Sequence, residues 1–192
     1  MTDSDESGSD DREDAVVLDV LAHGRSDADE PQYRRSPVAY AVGEDSFTLY
    51  ELALADDADI SIDDHVTIRP DFEAGIERGR QVNYDDITDG AKSELDYVVE
   101  EIVEANERQF VDFFNDAQPV TLRLHQLNIL PGIGDKLRDT ILDQRKREPF
   151  SSFEDLDRRI DGLHDPKGTV VERILEEIRE GEDLKYRIFA RS

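Results

Sequence analysis

The chain contains no cysteine and no tryptophan, one methionine and only five lysines. Without thiols there is no disulfide framework, no thiolate zinc site and no cysteine nucleophile. Aromatic residues make up 7% of the chain, and no apolar run approaches the length that spans a bilayer. The N-terminus is acidic where a secretory signal would be basic. The expectation is a soluble, cytoplasmic protein with no membrane partner. A P-loop, a nucleophile elbow and a dinucleotide fingerprint are also missing. The four histidines (His23, His65, His125, His164) are scattered, with no metal-ligand spacing on one element. Carboxylates stand side by side at Asp63-Asp64 and Asp85-Asp86, but among 48 acids such pairs arise by chance. No catalytic residue or metal ligand is assigned, and the protein is expected not to be an enzyme.

What is abundant is negative charge. The 192 residues carry 48 acids against 23 bases, a formal net charge of -25, with Asp (29) ahead of Glu (19) and Arg (18) ahead of Lys (5). That balance suits molar salt, where dense carboxylates hold water and the Debye length shrinks to about 3 Å at 1 M. A halophilic source is expected; an ordinary acidic protein with a disordered tail is the alternative. The charge is unevenly spread. Residues 1–30, 31–86 and 87–116 have net charges of -9, -8 and -7, whereas 117–192 hold fifteen acids and fourteen bases, net -1. Helix-surface ion pairs explain part of that basicity, but not the run Arg145-Lys146-Arg147.

The pattern divides the chain. Residues 1–14 lack apolar periodicity and are expected to form a disordered acidic tail. Strand-like runs occupy 15–21, 37–42, 47–54, 65–69 and 80–84, separated by turn-like segments. Five short strands over 15–86 fit a small OB-like β-barrel. Between 85 and 115 the apolar spacing changes to three and four (Leu95, Val98, Val99, Ile102, Val103, Phe110, Phe113, Phe114), which is helical, with Thr88 or Asp89 as N-cap. Residues 87–118 are therefore expected to be a helical linker, with its Phe stripe in a core. Residues 184–192 (Tyr186, Ile188, Phe189) look like a C-terminal strand.

The most informative stretch lies in 119–183. An apolar helical pattern (Leu122, Leu124, Leu127) leads into Leu130-Pro131-Gly132-Ile133-Gly134, and a second helix comes next with Leu137, Ile141 and Leu142 inward. Pro131 ends the first helix, and the glycines permit positive φ with no Cβ in the way. The turn then presents backbone N–H groups of Gly132, Ile133 and Gly134 at a helix N-terminus, a site for one phosphate.

This segment resembles the helix-hairpin-helix motif, matched by Leu130, Pro131, Gly132, Ile133, Gly134 and the basic Lys136, with Arg145 closing the second helix. The resemblance implies contact with a sugar-phosphate backbone without sequence reading, and a monovalent cation held by hairpin carbonyls. Asp135 departs from it by placing a carboxylate where a phosphate would sit. Arg138, Lys146 and Arg147 are expected to add local charge. A degenerate second copy spans 150–178, where Gly162 and Lys167 could reach a second phosphate.

The whole of 15–190, with Arg123-Leu124-His125 before the hairpin and Gly162-Leu163-His164-Asp165-Pro166 after it, resembles an uncharacterised archaeal family of proposed RNA-binding proteins. That family joins an OB-like domain to a helix-hairpin-helix domain. The α+β class, an archaeal source and a nucleic-acid partner, RNA ahead of DNA, are what the resemblance implies. The barrel offers Tyr33, Arg34 and Arg35, with Tyr40, Phe47 and Tyr50, as surfaces on which bases could stack. The competing expectation is an adaptor for ribosomal or transcription proteins, with the hairpin as a packing surface.

Overall fold

The computed structural model describes residues 12–25 and 35–191. The acidic tail through residue 11, together with Tyr33 and Arg34, lies outside the described residues. The chain divides into two compact units, one of residues 1–98 with 189–192 and one of residues 99–188.

The first unit is an antiparallel sheet of β1 (Glu13–Leu21), β2 (Val38–Gly43), β3 (Leu49–Leu54), β4 (His65–Arg69) and β5 (Ile76–Gln81), in the order β4-β1-β2-β3-β5. Its curled ladder ends at β4 on one side and β5 on the other, so the described strands form an open half-barrel instead of a closed one. Position in the sheet explains the sequence. Central β2 is buried on both faces from Ala39 to Gly43 and reads as an unbroken apolar run. Edge strand β4 alternates, with Val66 and Ile68 inward, and edge strand β5 buries only Ile76. The inner face gathers Ala15, Val17, Ala39, Ala41, Leu52, Leu54, Val66 and Ile68.

Several expected boundaries move. β1 starts at Glu13 because the buried Glu13 carboxylate is held by Arg69, Ser46 and Tyr50, so a charged residue is tolerated inside the ladder. The fifth strand runs over Ile76–Gln81, ahead of the expected 80–84, since the apolar side chain it buries is Ile76. Tyr40, Phe47 and Tyr50 are buried, which removes them as stacking platforms. Arg35 donates to the Arg25 carbonyl. The carboxylate pairs serve turns: Asp64 accepts from the Ser61 N–H, and Asp86 from the Asn83 N–H.

The expected long helix is two, α1 (Asp89–Ala105) and α2 (Glu107–Asp116). Thr88 caps the first by accepting the Ala91 N–H. Asn106 breaks the run: it leaves helical geometry at φ -113°, ψ 31°, and its side chain donates to the Ile102 carbonyl. In the second unit, Phe110 and Phe114 are buried, and Phe113 meets Phe114 edge to face at 6.0 Å. The remaining helices are α3 (Asp135–Arg147), α4 (Phe153–Arg159) and α5 (Pro166–Glu180).

No α-helix forms over 119–129. Pro119 bridges to His125, the Val120 N–H bonds the Leu124 carbonyl, and Thr121 Oγ1 accepts from the N–H groups of Arg123 and Leu124. This closed turn uses the donors that a helix would need, and only a 3-10 turn at Gln126–Ile129 precedes the glycines. The segment 184–190 forms no strand. Arg173 and Glu177 on α5 satisfy the Tyr186 carbonyl and the Ile188 N–H in place of a ladder.

Candidate nucleic-acid interface

Two tight connections organise the second unit. In the first, Leu130 and Ile133 are buried at 2% and 4% exposure and the Ile133 N–H bonds the Leu130 carbonyl at 3.3 Å. Gly132 takes φ +78°, a conformation that a side chain rarely adopts. In the second, Ile160 and Leu163 are buried, the Leu163 N–H bonds the Ile160 carbonyl at 3.2 Å, and Gly162 takes φ +93°. The two lie together: a Cβ on Gly162 would stand 3.9 Å from Leu137 Cδ1, in the first turns of α3.

Their ends differ. Gly134 is the N-cap of α3 at φ -82°, with no side-chain cap, and a Cβ there or on Gly132 would meet nothing within 4 Å. The α3 N-terminus is open, exposed and free for an external acceptor. The second helix start is closed: Asp165 caps α5 by accepting the Gly168 N–H at 2.9 Å. Lys167 binds Glu100 at 2.9 Å and Glu104 at 3.4 Å, bonds that raise its pKa. The second copy is thus a structural counterpart in which neither the helix N-terminus nor Lys167 is available.

The expected contacts of the first connection separate into two groups. Ile133 spends its N–H on closing the turn, so the open donors are Gly132, Gly134 and the first N–H groups of α3. Its carbonyl accepts from Asn128 Nδ2 at 3.2 Å, and the Leu130 carbonyl closes the turn, so two of the oxygens a monovalent cation would use already accept hydrogen bonds. Arg138 pairs with Asp139 and Asp135, both at 2.8 Å, and donates to Asn128 at 3.1 Å, with its pKa raised chiefly by the bond to Asp139. It anchors the turn and, with Asn128, holds the Asp135 carboxylate. Arg145 is half-buried and donates to the Phe114 and Ala117 carbonyls, capping α2, with its pKa lowered by burial. Among the described residues, Lys136, Lys146 and Arg147 are exposed with no ion pair or side-chain hydrogen bond. Lys136 and Lys146 stand about 15 Å apart along α3 at 1.5 Å per residue, too far to share one phosphate. Lys146 and Arg147 lie in the last turn of α3, where positive charge complements the helix dipole.

Three residues support the turn and α3; Asn128 and Arg159 escaped the sequence reading, whereas His125 is expected from it to be a packing or hydrogen-bonding residue before the hairpin. Asn128 fixes the turn through Ile133. His125 accepts the Leu127 N–H at Nδ1 and caps the 3-10 turn; burial first, then Arg145 and Arg138, lowers its pKa. Arg159 donates to the Gln144 and Glu148 carbonyls at the end of α3, stacks 4.5 Å over Phe150 and pairs with Asp155. Burial opposes ionisation of Asp155, but its bonds to Arg159 and the Ser151 N–H leave its pKa lowered. Only this last cluster had a local signal, the Ser152-x-x-Asp155 start of α4. No group of three His, Asp or Glu side chains able to hold a metal ion occurs among the described residues. Nor is any described helix long and apolar enough to cross a membrane.

The family described as protein of unknown function (DUF655) matches residues 11–191, which takes in both connections. The chain belongs to the DUF655 family. An uncharacterised protein of Methanocaldococcus jannaschii is 35% identical to this DUF655 chain over 178 residues, covering 92% of it and 79% of the relative. The crystal structure of Af1531 from Archaeoglobus fulgidus, a DUF655 protein, matches with a TM-score of 0.83 at 38% identity, over 93% of this chain and 99% of that one. The mixed α+β fold of this chain, five antiparallel strands with five helices among the described residues, is thus shared with the Archaeoglobus protein.

Proposed function

We propose that this DUF655 protein, which also carries an OB-like sheet, binds nucleic acid without reading sequence, in a non-catalytic role, by receiving a phosphate at the α3 N-terminus in a helix-hairpin-helix-like arrangement. Gly134 carries this reading. Neither backbone conformation nor packing requires glycine there, since φ is -82° and the space beyond Cα is empty. Ser, Asp or Asn at an N-cap would stabilise the helix over glycine by on the order of 0.3 kcal/mol and would occupy the first N–H groups with its own side chain. A residue that forgoes this cap leaves donors open to a ligand that a side chain would exclude. Lys136, two residues along, supplies an unpaired cation, and the chain's -25 charge is locally relieved in this half.

The halophilic composition fits this contact. Counterion release loses its driving force at high salt, whereas direct N–H to phosphate bonds depend on it less. Burial of Leu130 and Ile133 favours this reading over a protein adaptor, which would need them at the surface. RNA is the preferred polymer on the family resemblance.

Fluorescence anisotropy in molar KCl tests the proposal with a structured RNA, a single-stranded RNA and a DNA duplex. Wild type is expected to bind at least one, and Gly134→Val, which the backbone tolerates, to lose that binding while remaining folded. Absence of binding to all three, or undiminished binding by folded Gly134→Val, overturns it.

A further inference from the structure

We propose that Leu122 is a wedge that inserts between stacked bases of a base-paired nucleic acid held at the α3 N-terminus, an inference that rests on the nucleic-acid reading above. Leu122 is fully exposed, the most exposed large apolar side chain among the described residues. It is not on a loose loop. Thr121 Oγ1 accepts from both Arg123 and Leu124 N–H groups, the Val120 N–H bonds the Leu124 carbonyl at 2.7 Å, and the Pro119–His125 bridge closes the base of the turn. A leucine is therefore held rigidly at the tip of a built projection, with its transfer into water uncompensated.

The projection stands beside α3. Leu122 and Arg123 line one hollow with Arg138, Asp139 and Leu142 of α3. Arg138 is the same side chain that ties Asp135 and Asn128 beneath the glycine turn. The Arg123 side chain is exposed, and among the described residues it makes no ion pair or hydrogen bond. Leu122, with Pro119 and Val120 exposed next to it in the chain and half-buried Leu124 and Leu142 in the same hollow, offers too few apolar side chains for a stable protein interface. One apolar side chain flanked by a cation suits a base step instead, where leucine wedges unstack neighbours and kink a helix while arginine meets the phosphates. A wedge needs bases that are already stacked, so the favoured ligand is a duplex or stem and not an extended strand.

A short RNA duplex carrying one 2-aminopurine, a DNA duplex of the same sequence and the corresponding single strand serve as probes. Anisotropy reports binding, and 2-aminopurine emission reports unstacking. Wild type is expected to bind a duplex and raise its emission. Leu122→Ala is expected to bind about tenfold more weakly, a difference of ~1.4 kcal/mol, without that rise and with unchanged thermal unfolding. Leu122→Phe is expected to restore the rise. Equal binding and emission with Leu122→Ala overturns the wedge. Wild-type binding to the single strand alone also overturns the wedge and leaves the phosphate site standing. Binding to no probe overturns both.

Discussion

The connections at 130–134 and 160–165 repeat one turn, in which two buried apolar side chains flank a positive-φ glycine and the second apolar residue's N–H bonds the first one's carbonyl. The residues just past the turn decide the use each can have. After the first, Gly134 leaves the helix N-terminus uncapped and Lys136 unpaired; after the second, Asp165 fills the same place with its own carboxylate and Lys167 is committed to two glutamates. A shared backbone turn is thus not a shared site. A ligand can reach only the end that the chain has not already satisfied.

The sharpest way to break this contrast is Gly134→Asp, which gives the first connection the cap of the second. α3 should gain on the order of 0.3 kcal/mol in chemical denaturation while nucleic-acid affinity falls at least tenfold, opposite signs from one substitution. A joint loss of stability and binding would instead mark Gly134 as structural. The buried cluster that joins the end of α3 to α4 comes next. Asp155→Ala should cost about 2–3 kcal/mol, because it strands half-buried Arg159 and removes the acceptor of the Ser151 N–H. A midpoint shift under half that size would show that Arg159's carbonyl and Phe150 contacts carry α3 alone.

His125 gives a pH test of the first connection. Its folded pKa lies below the unfolded value of about 6.5, so the folded state resists protonation. Its contribution is complete above that value and declines as pH falls toward the folded pKa. His125→Asn, which keeps a cap acceptor, should flatten this limb of the stability profile, measured by denaturant midpoints at successive pH values. The smallest effect separates the two lysines. Lys136→Ala should weaken binding modestly and reduce the log-log salt slope by about 1, whereas Lys167→Ala should leave both unchanged. Equal responses would place the second connection in the interface.

Much of this is legible in the chain. Leu130 and Ile133 face inward and Gly132 takes positive φ because only those residue types satisfy so short a turn. Central β2 announces itself by an unbroken apolar run. The fates of the bases were not legible. Arg138, Arg145 and Lys146 lie on one helix with the same composition around them, yet Arg138 binds Asp135, Asp139 and Asn128, and Arg145 caps a helix thirty residues earlier. Leu122, Leu124 and Leu127 suggested a helix, but Thr121 and the Pro119–His125 bridge claimed its donors.

The sequence by itself determined the acidic surface, the strand-then-helix order and the two glycine turns, because each arises from local conformation and composition. Tertiary structure alone decided which helix N-terminus stays open, which cations are already spent and which leucine is left in water. Those outcomes depend on partners far along the chain, and a hydrogen-bond donor is available only when folding has brought no acceptor to it.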